Sequence, residues 1–193
     1  MMHDPDADLI RRAGAGEARA VEQIVHRHAD RLARLARRML GDAGEAEDVA
    51  QEVFLRVWRA APEWRAGEAK LSTWMHRVAL NLCYDRLRKR RETPNAEVGL
   101  TLADPAESAG DAWLRRQRAD RVHAALAQLP ERQRAAVALC HFEEASNIEA
   151  AAALEVSVEA LESLLSRARR ALREKLADIR PDMGDLGDVR RSE

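Results

Sequence analysis

The sequence has few of the residues that interrupt helices or favour strands. Its 193 residues include only 9 glycines and 6 prolines, and aromatic residues make up 4%. The abundant residues are alanine, leucine, arginine and glutamate, which favour helices over strands. Hydrophobic residues make up 46%, enough to form a buried core, so a largely disordered chain is excluded. We therefore predict an all-α protein.

Long apolar runs and cysteines are also scarce. No apolar run approaches the roughly 20 residues that a membrane-spanning helix needs. Residues 1–8 are acidic without an apolar core, which is not typical of a signal peptide. The two cysteines, Cys83 and Cys140, are too few for a disulfide framework in a chain of this length. These features favour a cytoplasmic protein.

Residue patterns of catalysis or metal binding are missing as well. The adjacent pair Cys140 and His141 does not have zinc-ligand spacing, and the cysteines are better explained as buried or incidental thiols. There is neither a phosphate-binding loop nor a nucleophile elbow. We therefore predict no catalytic residues, no metal, no cofactor and no small-molecule substrate, in a protein that is not an enzyme.

The net charge of −1 conceals an uneven distribution. Residues 1–92 carry a net charge of +3, residues 93–112 carry −4, residues 113–177 carry +2 and residues 178–193 carry −2. The acidic segment 93–112 contains prolines and glycines and lacks helical periodicity, so it is typical of a flexible linker. We predict helical domains over 5–92 and 113–177, and a disordered tail over 178–193.

Helical periodicity in the first domain predicts an amphipathic helix over about 17–40 and a second helix after it. The helix predicted over about 45–60 has one broad apolar face, and its polar face contains Leu55. That leucine is either an ordinary exposed side chain or the anchor of a partner-binding surface, and geometry alone favours the former. The helix over about 72–91 ends in a basic run and follows several aromatics. These residues suit either unstacked bases with phosphates, or a core with a solvated helix end.

The second domain has the outline of a helix-turn-helix. Pro130 is placed for the first position of a helix. Ser146 and Glu149 form a capping box, and Ser157 caps a helix over about 158–176. Two helices joined by a tight turn have this outline, although other helical hairpins share it.

Four segments resemble one family, in the same order along the chain. Residues 48–58 resemble region 2.2 of bacterial sigma factors, and residues 72–91 resemble regions 2.3 and 2.4. Residues 129–134 resemble the start of region 4, and residues 163–169 resemble its recognition helix. The layout, without region 1.1 and with a short linker for region 3, resembles the extracytoplasmic-function (ECF) class.

The resemblance implies a role for each segment. Region 2.2 docks on core RNA polymerase, which assigns this role to Asp48, Gln51, Glu52 and Leu55. Region 2.3 captures a base flipped out of the minus-ten element, and Trp64 and Asn81 sit where its pocket residues would be. The candidates for phosphate contact at this element are Arg77, Arg86, Arg88 and Lys89. Region 4 reads the minus-35 element, which assigns this role to Ser163, Ser166, Arg167, Arg169 and Arg170.

The chain departs from the family pattern at four positions. Glu144 and Glu155 stand where the family usually has glycine, and both are tolerated if their backbone angles are not left-handed. Glu162 and Leu164 stand where the recognition helix is often basic. Because a glutamate accepts from cytosine but repels phosphate, we expect an unusual promoter preference.

The resemblance implies an alternative sigma factor. It would direct core RNA polymerase to promoter DNA, nucleate melting and be held by an anti-sigma factor, often membrane-anchored in this family. The alternatives are a stand-alone helix-turn-helix regulator and a sigma-like decoy for an anti-sigma factor. A decoy should lack the basic run and the aromatic loop, both of which this chain has.

Overall fold

The computed structural model describes residues 4–65, 67, 69–92 and 111–177, and the side chains of 111–118 are not described. All of the regular structure in these ranges is helical, as predicted. The helices are α1 (Ala7–Gly14), α2 (Ala18–Leu40), α3 (Ala43–Ala60), α4 (Leu71–Glu92), α5 (Asp111–Ala127), α6 (Glu131–Val137), α7 (Asn147–Leu154) and α8 (Val158–Lys175). A 3₁₀ turn follows α3 at Ala61–Glu63, and a π turn follows α6 at Ala138–Phe142.

Helices α2, α3 and α4 form the core of the first domain. Their apolar residues recur at helical spacing, so each helix buries one side against the other two. Helix α2 ends at Gly41, whose φ of 75° is left-handed. Asp42 then caps α3 by accepting a hydrogen bond from the Glu45 amide at 2.7 Å. The most deeply buried side chains of this core are Ile24, Leu32, Leu35, Met39, Val49, Leu71, Met75 and Leu80.

Helix α1, which we did not predict, completes this domain. Asp6, just before α1, is buried and contacts His28 Nε2 at 2.8 Å. The Asp4 carboxylate accepts a hydrogen bond from the Leu71 amide at 3.0 Å, so it caps α4 from 67 residues away. At Gly14 an added Cβ would lie 2.4 Å from the Ala61 carbonyl oxygen, so α1 fits against the 3₁₀ turn only without a side chain there.

Helices α6, α7 and α8 form the second domain around buried Leu139, Leu154, Leu161 and Leu165. The capping box is present, because Ser146 Oγ accepts from the Glu149 amide at 3.3 Å and Glu149 Oε2 accepts from the Ser146 amide at 3.0 Å. Ser157 Oγ likewise accepts from the Ala160 amide at 3.2 Å. These caps agree with the sequence and fix where α7 and α8 begin.

Several predicted boundaries are corrected by the structure. Asp111 and Ala112, which we placed in the linker, belong to α5, and Pro130 precedes α6 rather than occupying its first position. The remainder of the predicted linker, 93–110, and the predicted tail, 178–193, lie outside the described residues.

The condition set for Glu144 and Glu155 is not met, because both residues are left-handed, with φ of 52° and 54°. Glu155 follows the last residue of α7 as its C-cap. A left-handed residue at this position directs its N–H toward the last carbonyl groups of the helix, and the Glu155 N–H donates to Ala152 O at 3.3 Å. A non-glycine residue in this region costs roughly 1–2 kcal/mol. At both positions the chain therefore has the left-handed backbone that suits glycine, although glutamate adopts it at a higher conformational free energy.

The two domains pack directly on each other. Helix α4 of the first domain lies along α7 of the second, and α2 contacts α5, α6 and the π turn. Arg134 of α6 is buried and donates to the Met39 carbonyl of α2 at 2.5 Å. Its guanidinium also donates to the carbonyls of Ala127 and Leu129 within the second domain. The sequence did not predict this contact between the domains.

Candidate polymerase and promoter interfaces

One stripe of α3 carries the four residues assigned to polymerase binding. Asp48, Gln51, Glu52 and Leu55 lie at intervals of three or four residues, so they share one side of the helix. Leu55 is 49% exposed, whereas Val49, Val53 and Val57 on the opposite side are fully buried. Arg56 donates to Glu52 at 2.9 Å, which holds that carboxylate at the edge of the stripe. The arrangement is an apolar side chain flanked by acidic and amide groups.

Trp64 follows the 3₁₀ turn and packs edge-on against Trp74 of α4, with ring centroids 5.7 Å apart. Both rings are half-buried against the core of the first domain. Among the described residues, the Trp64 indole N–H is buried and has no hydrogen-bond partner. The aromatic surface assigned to a flipped base is therefore partly occupied by contacts within the domain.

Asn81 lies away from Trp64. It is exposed on α4, seven residues beyond Trp74 and so about 10 Å along the helix axis. Asn81 lines a cleft of about 310 Å³ between the domains, together with Tyr84 of α4. The second domain lines the other side of the cleft with Glu131, Arg132, Ala153, Leu154 and Glu155. Burial raises the pKa of Tyr84 to about 12, and among the described residues its hydroxyl has no partner. The structure therefore does not bring Trp64 and Asn81 together in one pocket.

The four cations assigned to the minus-ten element differ in their surroundings. Arg77 is half-buried and pairs with Glu155 of the second domain at 3.5 Å. Arg88 is exposed and pairs with Asp85 at 2.9 Å. Arg86 is half-buried, and Lys89 is exposed. Of these four, only Arg77 forms an ion pair with the second domain in the described structure, and α4 presents Arg88 and Lys89 to solvent.

Helix α8 presents all five residues assigned to the minus-35 element. Leu161, Leu165 and Ala168 are buried and fix the orientation of the helix. The five exposed residues lie on the remaining surface of the helix: Ser163, Ser166, Arg167, Arg169 and Arg170. Serine and arginine there can donate to base edges and phosphates.

The two unusual positions of α8 have different environments. Glu162 is exposed beside the serine and arginine surface, so its carboxylate lies where DNA would approach. Leu164 is half-buried and packs against the core, so it has a structural role. Of the two residues that differ from the family pattern, only Glu162 therefore changes the charge of the surface that would face DNA.

The cysteines show no sign of reactivity. Cys83 is fully buried, and burial raises the pKa of its thiol to about 12. Burial also raises the pKa of Cys140. In the part of the chain that the structure describes, no group of three His, Cys, Asp or Glu residues could hold a metal. No described helix is both long and apolar enough to cross a bilayer.

Comparisons with protein families identify both domains. The family model of sigma-70 region 2 matches residues 24–93, and that of sigma-70 region 4 matches residues 119–172. The first match contains α3 and α4, and the second contains α6, α7 and most of α8. These two matches define the class of protein, a sigma factor with regions 2 and 4.

Similar proteins cover nearly the whole chain. The ECF RNA polymerase sigma factor SigW of Bacillus subtilis is 32% identical over 180 residues, which are 88% of this chain and 96% of SigW. The RNA polymerase sigma-H factor of Pseudomonas aeruginosa is 32% identical over 189 residues, 93% of this chain and 97% of that protein. The chain therefore belongs to the ECF class of bacterial RNA polymerase sigma factors.

Solved structures agree with the fold. CnrH, solved in complex with the cytosolic domain of CnrY, superposes with a TM-score of 0.69 at 30% identity, over 92% of this chain and 99% of that one. RpoE of Bartonella quintana, solved in complex with the anti-sigma factor NepR, has a TM-score of 0.66 at 23% identity. This match covers 81% of this chain and 96% of that one, and it supports the fold alone.

Proposed function

We propose that this chain is an alternative initiation subunit that binds core RNA polymerase and directs it to promoters in the cytoplasm. The observation that carries the proposal is helix α8. It is the second helix of a helix-turn-helix, and it turns Ser163, Ser166 and Arg167 to solvent while Leu161 and Leu165 anchor it. In this role α8 enters the major groove of the minus-35 element.

The first domain supplies the polymerase contact and the minus-ten contact. The stripe on α3 fits a docking surface, because Leu55 remains exposed among polar groups while the rest of the helix is packed. On α4, Arg88 and Lys89 are available for phosphates, and Asn81 offers both donors and acceptors to a base edge. Trp64 would stack on an unpaired base after a local rearrangement of its contact with Trp74.

The chain itself catalyses no reaction in this proposal, and the polymerase carries out nucleotidyl transfer. Control by an anti-sigma factor is supported by the similar fold of CnrH, whose solved structure contains the cytosolic domain of CnrY. We expect such a partner to bind one or both domains and compete with core polymerase.

Run-off transcription tests the proposal directly. The purified chain is added to core RNA polymerase on fragments of its own genome, and transcripts are mapped by sequencing. We expect transcripts from a limited set of promoters that core polymerase alone does not use. Double substitution of Arg167 and Arg170 to alanine should reduce these transcripts about tenfold or more, because each lost charged hydrogen bond costs about 1–3 kcal/mol.

Binding assays carried out beside run-off transcription separate the alternatives. A stand-alone regulator would bind duplex promoter DNA in a gel-shift assay without polymerase and would give no transcripts. A decoy would bind the anti-sigma factor but not core polymerase. Either result would overturn the proposal.

A further inference from the structure

The acidic and basic residues of the second domain are segregated along the chain. Residues 131–162 contain seven acidic and two basic residues, whereas residues 163–177 contain one acidic and five basic residues. The basic segment is the exposed half of α8, which faces solvent. The acidic segment comprises α6, α7, the turns around them and the first turn of α8. Of these, α6, α7 and the π turn contact α2 or α4, whereas Glu159 and Glu162 of α8 are exposed.

Four carboxylates of this acidic segment pair with cations of the first domain. Lys70 pairs with Glu149 at 2.6 Å, Arg91 with Glu131 at 3.1 Å, and Arg77 with Glu155 at 3.5 Å. The fourth carboxylate is that of Glu143, with Arg38 at 3.0 Å and Arg31 at 3.4 Å. In every one of these pairs the first domain supplies the cation and the second domain supplies the carboxylate.

These pairs cover part of the surface assigned to minus-ten DNA. Arg77 is bound by Glu155, and Asn81, although exposed, lines the cleft between the domains. Glycine, the residue usual in the family at this turn, has no side chain and could not pair with Arg77 as Glu155 does. The strained backbone of Glu155 thus places a carboxylate opposite a predicted phosphate contact.

We propose that the acidic half of the second domain acts as an internal substitute for DNA phosphates, closing over α4 in the free protein. This proposal rests on the proposed function, because it assigns a regulatory state to the same minus-ten surface. DNA and this acidic face compete for the same cations. The free protein therefore binds DNA weakly, and the acidic face must leave α4 before Arg77 and Asn81 meet a promoter.

The strength of the closed state suits such a switch. Lys70 and Glu149 are each about a quarter exposed, but Arg77 and Glu155 are 40% and 61% exposed. Pairs this exposed contribute little individually and are screened by salt. These pairs add to the buried contacts that Arg134 and Glu143 make between the domains. They are the part of the closed state that salt and DNA phosphates can displace.

Two triple variants of the full-length chain test the proposal. The first, the interface triple, is E131Q/E149Q/E155Q, which neutralises three of the paired carboxylates. Glutamine is accepted at the third position of a capping box, so E149Q keeps the start of α7. The matched control triple is E144Q/E159Q/E174Q, three exposed glutamates that make no ion pair with the first domain in the described structure. Both triples change the net charge from −1 to +2, since each removes three negative charges.

The controls match the test residues in local structure as well. Glu144 and Glu155 are both left-handed, and Glu131 and Glu159 both lie in the first turn of a helix. Net charge and the left-handed strain are therefore shared by the two triples, whereas Glu149 lies in the first turn of α7 and Glu174 in the last turn of α8. Circular dichroism of both variants checks that they remain helical.

Two measurements distinguish the triples. Small-angle X-ray scattering at about 0.05 M salt should show a larger maximum dimension for the interface triple than for wild type, with the control triple unchanged. Wild type should expand toward the same dimension at about 1 M salt, where the screening length is about 3 Å. The interface triple should also bind a single-stranded oligothymidine about tenfold more tightly than the control triple, as expected from losing three weak pairs.

Equal dimensions of all three proteins at low salt would overturn the proposal, and so would equal expansion of the two triples. Run-off transcription by wild type is measured in parallel. If wild type initiates transcription but the interface triple does not open, the internal competition is wrong and the proposed function stands. If the interface triple opens but no protein initiates with core polymerase, the proposed function is wrong and the interdomain contact stands.

Discussion

Glu144 and Glu155 hold backbone angles that glycine adopts with little strain. Glu155 has a compensating contact with Arg77, whereas Glu144 is exposed and makes no ion pair in the described structure. The two residues share a local conformation but differ in what their side chains do. A substitution at Glu144 therefore isolates the cost of the backbone angle.

We predict that Glu144→Gly stabilises the second domain by about 0.5–1 kcal/mol. Relief of the left-handed strain is worth roughly 1–2 kcal/mol, and the greater freedom of glycine in the unfolded chain offsets part of it. Urea denaturation followed by circular dichroism measures the change. The control Glu144→Ala removes the same charge but keeps a Cβ, so it should give no such gain. Equal gains for glycine and alanine would show that charge, not backbone strain, is responsible.

His76 of α4 is buried, and it lies within electrostatic reach of Arg31, His28 and Glu149. Burial, followed by the charge of Arg31, lowers the pKa of its imidazole from 6.5 to about 4. Between these values the unfolded chain binds more protons than the folded chain. Stability from His76 is therefore present above pH 6.5 and is lost as the pH falls toward 4.

Wild type should lose about 3 kcal/mol of its free energy of unfolding through His76 as the pH falls from 6.5 to 4. We predict that His76→Leu does not show this part of the loss. The measurement is the free energy of unfolding in urea at a series of pH values. His26→Leu is the control, since His26 lies on the exposed side of α2. Parallel pH profiles for His76→Leu and wild type would contradict the prediction.

At the scale of elements, the opposite sides of α3 have different roles. Val49, Val53 and Val57 hold the helix in the core, while Leu55 is exposed among acidic and amide groups. A change on the exposed side should therefore affect partner binding without affecting folding.

We predict that Leu55→Asp weakens binding to core RNA polymerase about tenfold or more, while the free energy of unfolding changes by less than about 0.5 kcal/mol. Surface plasmon resonance with immobilised core polymerase measures the first quantity, and urea denaturation measures the second. Ile148→Asp is the control, because Ile148 is 65% exposed on α7 and is not among the residues assigned to polymerase binding. Equal binding by the two variants would argue against the α3 stripe.

At the scale of the whole molecule, the buried contact between the domains is centred on Arg38 of α2. Its guanidinium lies 3.0 Å from Glu143 Oε1 and 4.2 Å from the centre of the Phe142 ring. Burial raises the pKa of Glu143 although Arg38 and Arg31 oppose the shift, and burial lowers the pKa of Arg38. Desolvation of the two charges therefore exceeds their mutual attraction.

We predict that Arg38→Met destabilises the protein by about 3 kcal/mol, because Glu143 is left buried with only the longer Arg31 contact. The double variant Arg38→Met/Glu143→Gln should recover most of this loss, since no unpaired charge remains buried. Thermal and urea unfolding of the two single variants and the double variant provide the measurement. Additive losses would contradict it, because they would mean that the two side chains do not interact.

Much of the fold was predictable because it depends on nearby residues. Apolar residues at helical spacing predicted α2 and α3, and Ser146 and Ser157 predicted the starts of α7 and α8. Helix α1 was not predicted, because its position depends on Gly14 fitting against the Ala61 carbonyl. The sequence also predicted the residues of the α3 stripe and of α8. Their exposure followed from the buried sides of the same helices.

The sequence by itself determined an all-helical chain with two domains and the family to which they belong, since these depend on local spacing and on contiguous motifs. Only the tertiary structure decided that Asn81 faces the second domain rather than Trp64, and that Glu143 is buried against Arg31 and Arg38. The partners in these contacts are separated by more than 40 residues, and no periodicity relates them. The burial that sets their charges and exposure exists only once the two domains have packed together.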